Sequence, residues 1–140
     1  MIKKLVKITF YIFLFTACSK NNDLNISDSQ LAKIKEPVIN YVEGWYNADG
    51  IQMEKSLHPD LIKRRSLEGN IIEIYSEEMI NLTKGRNKIS ENDRKYKIIV
   101  YDVFNQMACV KLISNSYVDY LQLAKFDNDW KIINVLWDLK

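Results

Sequence analysis

Several residue types that carry particular chemistries are scarce in this chain of 140 residues. It contains two cysteines, two prolines, four glycines and a single histidine. The glycines are scattered, so they form neither a phosphate-binding loop nor the tight turn that presents the nucleophile of many hydrolases. One histidine and no paired cysteines give no zinc-ligand spacing and no redox motif. We therefore predict no metal site and no cofactor.

The chain also lacks an apolar run long enough to cross a bilayer. Its longest run, ITFYIFLFTA at residues 8–17, has ten residues. At a rise of ~1.5 Å per residue it reaches only about half of the ~30 Å hydrocarbon core. Lys3, Lys4 and Lys7 precede the run and Cys18 follows it. A basic start, a short apolar middle and small residues before a break predict an export signal.

The end of this segment, Phe15-Thr16-Ala17-Cys18, resembles the lipobox of bacterial lipoproteins. One position departs from that pattern, because leucine is usual where Phe15 stands. The resemblance implies that residues 1–17 are a lipoprotein signal peptide and that Cys18 is acylated. We then expect residues 18–27 to be the lipidated cysteine and a flexible tether, and residues 28–140 to be one domain. The expected location is the bacterial cell envelope, lipid-anchored on the periplasmic side or at the outer membrane.

An excess of charge of one sign is also missing. Residues 1–17 hold three of the 20 basic side chains and none of the 18 acidic ones. The basic character of the full chain therefore belongs to the signal segment, and the remaining lysines are scattered. We predict no nucleic-acid partner, since that function needs a clustered basic surface.

What the sequence does contain is a regular alternation of helical and strand patterns. Apolar residues recur at helical spacing from Leu31 to Trp45, a second short helix is predicted at residues 51–57, and Ser76 begins a third that ends at Gly85. Strand patterns at residues 61–66 and 71–75 come before the third helix, and a meander begins near residue 97. These patterns predict an α+β domain in which three N-terminal helices pack on a curved antiparallel sheet.

The stretch from Tyr117 to Trp137 predicts a hairpin with Asp127 and Asn128 in its turn. Strict alternation from that turn pairs Phe126 with Asp129, Leu123 with Ile132, Leu121 with Asn134, and Asp119 with Leu136. Asp119 and Asn134 are then the polar residues on an apolar inner face. The opposite face carries Tyr120, Phe126 and Trp137, and we expect a homodimer through it.

Two parts of the sequence resemble a known family. Residues 41–65 contain EGWY and LHPDLIKR, and residues 117–137 contain DYLQLAK and WKI. These motifs are similar to those of the family named "Putative lumazine-binding", within the nuclear-transport-factor-2-like (NTF2-like) superfamily that includes ketosteroid isomerase and polyketide cyclases. The resemblance covers roughly residues 32–138, and Asp127-Asn128 departs from the Asp-Gly turn that is frequent in the family. It implies a cone-shaped fold and a small heterocyclic ligand.

Six residues are the candidate ligand contacts: Trp45, His58, Arg64, Tyr101, Asp119 and Asn134. Trp45 can stack on a flat ring, and an inward arginine at position 64 or 65 suits a carboxylate or a ring carbonyl. Asp119 has two interpretations, because an inward carboxylate either acts as a base or is neutralised by a partner. The partners considered are Arg64, Arg65, Tyr101 and His58.

Two functions from different classes follow from these residues. The first is a non-enzymatic envelope lipoprotein that binds a small ligand or a protein in or around the cone. The alternative is an isomerase, cyclase or dehydratase in which Asp119 or His58 is the general base. That enzyme requires His58 and Asp119 to reach one pocket. A domain that acts only as a dimeric spacer is the third interpretation.

Overall fold

The computed structural model describes residues 26–140. The predicted signal peptide, Cys18 and nearly all of the predicted tether lie outside the described residues. Within residues 26–140, none of the helices is both long and apolar enough to traverse a bilayer.

Three α-helices form because their apolar residues share one side, and side chains cap the starts of the first two. They are α1 (Asp28–Asn47), α2 (Gly50–Ser56) and α3 (Ser76–Lys84). The Ser27 side chain accepts a hydrogen bond from the backbone N–H of Gln30 at 3.2 Å, which caps the start of α1. Asp49 caps α2 in the same way by accepting from the N–H groups of Ile51 and Gln52. α1 continues through the buried Pro37 as one helix.

Six strands form one sheet. They are β1 (Leu57–Leu67), β2 (Asn70–Tyr75), β3 (Lys97–Phe104), β4 (Met107–Ile113), β5 (Tyr117–Phe126) and β6 (Asp129–Leu139). Their order across the sheet is β2-β1-β6-β5-β4-β3. β1 and β6 are parallel, whereas the other neighbours are antiparallel. The predicted α+β class is confirmed, with a correction: the sheet is mixed rather than wholly antiparallel.

The turn of the predicted hairpin is confirmed. Phe126 lies opposite Asp129, and Leu123 lies opposite Ile132. Asp127 has φ 52°, the left-handed conformation that such turns require and that aspartate tolerates better than most residues.

A β-bulge changes the register farther along β6. Gln122 pairs with Asn134 and Asp119 pairs with Trp137, so Ile133 is the extra residue. Beyond the bulge, each residue lies on the face opposite to the one that strict alternation predicts. Asn134 therefore lies on the outer face of the sheet and Trp137 on the inner face, toward the helices. Both predicted orientations were wrong.

A second bulge, in β3, displaces Tyr101 in the same way. Val100 pairs with Val110 and Asp102 pairs with Cys109, which leaves Tyr101 as the extra residue. Its ring is stacked with that of Tyr120 on the outer face, with centroids 6.4 Å apart. The prediction that Tyr101 faces the interior was therefore wrong.

The hydrophobic core lies between the helices and the inner face of the sheet. α1 contributes Ile34, Val38, Tyr41 and Val42, which are fully buried. The sheet contributes buried residues from β1, β4, β5 and β6, namely Leu61, Val110, Leu112, Leu121, Leu123, Ile132 and Val135. Two charged residues, Lys63 and Asp119, are buried in the same layer. They are the starting point for a functional site.

Candidate functional site

A buried ion pair lies on the inner face of the sheet. The Lys63 Nζ is 2.7 Å from Asp119 Oδ1, and the side chains are 6% and 0% exposed. Lys63 also donates a hydrogen bond of 2.7 Å to the Tyr41 hydroxyl. β1 and β5 both neighbour β6 in the sheet, which brings the lysine and the aspartate together from strands distant in sequence. Most buried charges are paired in this manner, because an isolated one costs too much solvation energy.

Burial acts on the pKa of each member of this site. It lowers the pKa of Lys63 and raises the pKa of Asp119, and in each case the charge of the other opposes the shift. Burial also raises the pKa of Tyr41 well above its usual value, and the nearby Asp119 raises it further. Tyr41 is thus a neutral hydroxyl that accepts from the ammonium.

Three aromatic rings surround the Lys63 ammonium. Its Nζ lies 5.4 Å from the ring centroid of Tyr41, 5.2 Å from that of Tyr117 and 4.7 Å from that of Trp137. Cations at these distances are attracted by the negative ring faces. An aromatic cage of this type can hold an organic ammonium, and here the chain supplies the ammonium itself.

The arrangement continues from the cage toward the surface. Trp45, at the end of α1, meets Tyr117 edge to face with centroids 6.4 Å apart. The Arg86 guanidinium carbon lies 3.7 Å from the Trp45 ring centroid, and the Arg65 guanidinium carbon lies 5.1 Å from that of Trp137. All these side chains lie at one end of the sheet, where β5 begins and where β1 and β6 end. We call the set the inner cluster: Tyr41, Trp45, Lys63, Arg65, Arg86, Tyr117, Asp119 and Trp137.

Several buried polar atoms of the inner cluster have no hydrogen-bond partner among residues 26–140. They are Arg86 Nε, Trp137 Nε1 and Asp119 Oδ2. Arg65 Nε lies 3.0 Å from an Asp138 oxygen but makes no hydrogen bond, because the angle is unsuitable. Unsatisfied buried donors are rare in folded proteins, and each calls for an explanation. Two of these groups are donors, namely the Nε of Arg86 beside Trp45 and the indole N–H of Trp137. They suit a planar ligand that bears hydrogen-bond acceptors.

Comparison with known proteins identifies the family. A family model described as "Putative lumazine-binding" matches residues 29–138. The chain belongs to this family. No curated protein sequence matches the chain significantly.

Solved structures share the fold of this Putative lumazine-binding domain. An NTF2-like protein of unknown function from Silicibacter pomeroyi is 16% identical, with a TM-score of 0.71 over 82% of this chain and 100% of that one. Another from Methylobacillus flagellatus is also 16% identical, with a TM-score of 0.71 over 84% and 97%. A ketosteroid isomerase-like protein from Erwinia carotovora is 14% identical, with a TM-score of 0.61 over 81% and 98%. At these identities the likeness shows an NTF2-like fold.

The predicted ligand contacts of this family member lie in different parts of the structure. Trp45 and Asp119 belong to the inner cluster. Arg64 lies on the outer face, where it donates to Glu73 at 2.8 Å and to Asn134 at 2.9 Å. The partners predicted for Asp119 were wrong, because Lys63 holds this carboxylate rather than Arg64, Arg65, Tyr101 or His58.

His58 lies apart from Asp119. Its ring is stacked on that of Phe126, with centroids 4.4 Å apart, and its Nδ1 accepts from the N–H of Asp60 at 3.2 Å. Phe126 and Asp119 stand at opposite ends of β5. Their separation along the strand is roughly 23 Å, at ~3.3 Å per residue. His58 and Asp119 therefore do not share one pocket.

Sequence reasoning did not single out Lys63, Arg86, Tyr117 or Tyr41 as parts of a site. The sequence did contain a signal that Lys63 faces inward. Leu61, Lys63 and Arg65 alternate onto one face of β1, and Leu61 is strongly apolar. Arg86 had none, because it follows α3 in an irregular segment and meets Trp45 only through tertiary folding.

Two grooves lie outside the inner cluster. One, of about 390 Å³, runs between α1 and the β5–β6 turn. It is lined by Lys33, Glu36, Pro37, Asn40, Lys55, Asn128, Asp129, Trp130 and Lys131. The other is about 240 Å³, lies by Phe104 and Met107 and is largely apolar. Across residues 26–140, no three metal-ligating side chains come together.

Proposed function

We propose that this domain binds a small, flat heterocyclic ligand at the partly exposed end of the inner cluster, without catalysing its conversion. The observation that carries the proposal is that two buried donors of the inner cluster, Arg86 Nε and the indole Nε1 of Trp137, have no hydrogen-bond partner among residues 26–140. Carbonyl oxygens and ring nitrogens of a heterocycle are suitable acceptors. The family to which the chain belongs is described as "Putative lumazine-binding", which agrees with such a ligand.

The ion pair favours binding over proton transfer. A general base must be free to take a proton from its substrate. One oxygen of Asp119 already accepts from Lys63, and His58 lies at the other end of β5. The isomerase alternative required His58 to share a pocket with Asp119. His58 does not lie near Asp119, so this alternative lacks the second proton-transfer group that it required.

Equilibrium binding tests the proposal directly. The purified domain is titrated by calorimetry with lumazine, pterin and riboflavin. We expect at least one to bind with 1:1 stoichiometry, and Trp45→Leu to weaken that binding about tenfold through loss of stacking surface. Tyr120→Leu is the matched control, because Tyr120 is a half-exposed aromatic on the opposite face. Absence of binding by all three compounds, or equal effects of the two substitutions, would refute the proposal.

We also propose that acylated Cys18 anchors the protein in the cell envelope. The support is the lipobox resemblance and the basic, apolar segment before it. Cells that express the protein are fed an alkyne-labelled fatty acid, and the protein is isolated from the membrane fraction. Cys18→Ser should abolish label and membrane retention, whereas Cys109→Ser, at the exposed free thiol of β4, should change neither. Label that persists in Cys18→Ser argues against the anchor.

The expected homodimer is retained as a proposal with a revised surface. Tyr120 and Phe126 are 49% and 42% exposed, and Trp137 no longer belongs to the set. Further exposed apolar side chains extend this surface across the outer face: Tyr101, Phe104, Met107 and Leu136. Exposed aromatic and apolar side chains gathered on one face of a sheet are typical of a surface that a second copy covers.

A further inference from the structure

We propose that the ligand carries a negatively charged group, a carboxylate or a phosphate, and that Arg86 binds it. This inference rests on the proposed function, because it assigns a chemical class to the ligand of the same site. It is argued from the charges of the inner cluster, the burial of Arg86 and the position of its guanidinium.

The charges of the inner cluster do not balance. Lys63 is paired with Asp119 at 2.7 Å, and Arg65 is paired with Asp138 at 3.0 Å. Arg86 has no acidic group within ion-pair distance among residues 26–140. One positive charge therefore remains at this end of the sheet, and a ligand with one negative charge would neutralise it.

Burial makes the unpaired state of Arg86 unfavourable. Its Nε is fully shielded from solvent and has no hydrogen-bond acceptor in the described part of the chain. Burial also lowers the pKa of Arg86, an effect that the neighbouring hydroxyls of Tyr117 and Tyr46 oppose. A shielded N–H donor without an acceptor costs free energy, and an anion beside this guanidinium would supply both an acceptor and a counter-charge.

The position of the side chain suits an anion. The guanidinium lies over the Trp45 indole with its carbon 3.7 Å from the ring centroid. A stacked arginine keeps the N–H groups at its edge directed outward, where they can bind a carboxylate or a phosphate with two parallel hydrogen bonds. The ion pairs of Lys63 and Arg65 leave those two cations less available for the same task.

Ligand pairs that differ only in the anionic group test the inference. Pterin is compared with pterin-6-carboxylate, and riboflavin with flavin mononucleotide, so that a carboxylate and a phosphate are distinguished. For the wild-type protein we expect the acid of one pair to bind at least about tenfold more tightly than its neutral partner. Raising the salt concentration should weaken that preference, since the guanidinium is only partly shielded from solvent.

Substitutions then assign the preference to Arg86. Arg86→Met should reduce the ratio of affinities to about one, and this ratio is the readout because the substitution also removes the Nε donor proposed to bind the neutral heterocycle. Arg86→Lys should retain part of the preference, since it keeps the charge but loses the fork. Lys84→Met is the matched control, as it removes an exposed cation two residues earlier, and should leave the ratio unchanged. Melting temperatures confirm that each variant is folded.

The outcomes separate the inference from the function on which it rests. If the acid and the neutral partner bind equally to the wild type, or if Arg86→Met keeps the preference, the anionic ligand is refuted and heterocycle binding stands. If no compound of either pair binds, the proposed function fails and the inference fails with it.

Discussion

At the residue scale, Lys63 and Asp119 form the most deeply buried ion pair among residues 26–140. Sequence alternation correctly predicted that Asp119 faces the interior. It did not predict the partner, because alternation places both Lys63 and Arg65 inward and only the register between strands decides which of them meets Asp119. The pairing is a tertiary property: β6 separates the two strands that carry the charges.

Breaking this ion pair from one side should destabilise the protein strongly. Asp119→Leu leaves the ammonium of Lys63 buried without a counter-charge, which we expect to cost about 3–5 kcal/mol of unfolding free energy. The double variant Lys63→Met/Asp119→Leu should recover most of that loss, since well-packed apolar residues of similar volume can replace a buried pair. Urea denaturation of the wild type, both single variants and the double variant gives the coupling energy.

The matched control for the buried pair is the outer-face pair of Arg64 and Glu73, whose side chains are 36% and 37% exposed. Solvent screens such pairs, so the same four-variant cycle there should give a much smaller coupling. A coupling as large as that of Lys63 and Asp119 would show that burial is not what makes the inner pair strong.

Glu73 gives a pH dependence whose sign can be worked out. Hydrogen bonds from Arg64 and Tyr75 hold the pKa of Glu73 below its usual value. The unfolded chain therefore binds the proton more readily, and stability from this group is present above the ordinary glutamate pKa and lost as pH falls through the folded value. The stability difference between wild type and Glu73→Gln should shrink on acidification, measured by urea unfolding at several pH values. A difference that grows in acid would contradict this assignment.

At the element scale, the two β-bulges explain which residues were misplaced. Each bulge inserts one residue, Tyr101 in β3 and Ile133 in β6, and everything beyond it changes faces. Predictions near the hairpin turns were right because turn chemistry fixes the register there. The predicted faces of Asn134 and Trp137 were wrong because both residues lie beyond the bulge in β6. No local sequence pattern indicated that bulge.

The contact between α1 and α2 depends on the absence of a side chain at Gly44. A Cβ at this position would lie 2.8 Å from the backbone nitrogen of Met53 and 3.2 Å from the carbonyl oxygen of Asp49. Backbone atoms cannot move aside as a flexible side chain can, so Gly44→Ala should cost about 1–3 kcal/mol despite the better helix propensity of alanine. Thermal and urea unfolding measure the cost.

Gly85, at the end of α3, is the matched control. A Cβ there would have its nearest neighbour at 3.5 Å, an ordinary contact, and its φ of −81° suits any residue. Gly85→Ala should therefore leave stability unchanged or slightly higher, because alanine restricts the unfolded chain. Equal losses from both substitutions would mean that the α1–α2 approach is looser than these distances indicate.

At the scale of the whole molecule, the fold could be predicted better than the site. Helix faces, caps and hairpin turns depend on short stretches of sequence, so local patterns predict them. The resemblance to NTF2-like proteins came from the motifs near residues 43–46, 57–64 and 119–132. The inner cluster, by contrast, draws on α1, β1, β5, β6 and the segment after α3. Its members meet only after the sheet has formed, so Arg86 and Lys63 could not be recognised as neighbours from their spacing.

The outer face of the sheet bears on how the whole molecule assembles. Its exposed aromatic and apolar side chains predict that two copies associate through it, giving a solution mass twice that of the monomer. Tyr120→Glu places a charge within this surface and should convert the protein to a monomer, measured by sedimentation or light scattering. Leu82→Glu is the matched control, since Leu82 is 45% exposed but lies on α3, and should leave the mass unchanged. A wild-type protein that is monomeric at high concentration, or a Tyr120→Glu variant that keeps the doubled mass, would exclude this interface.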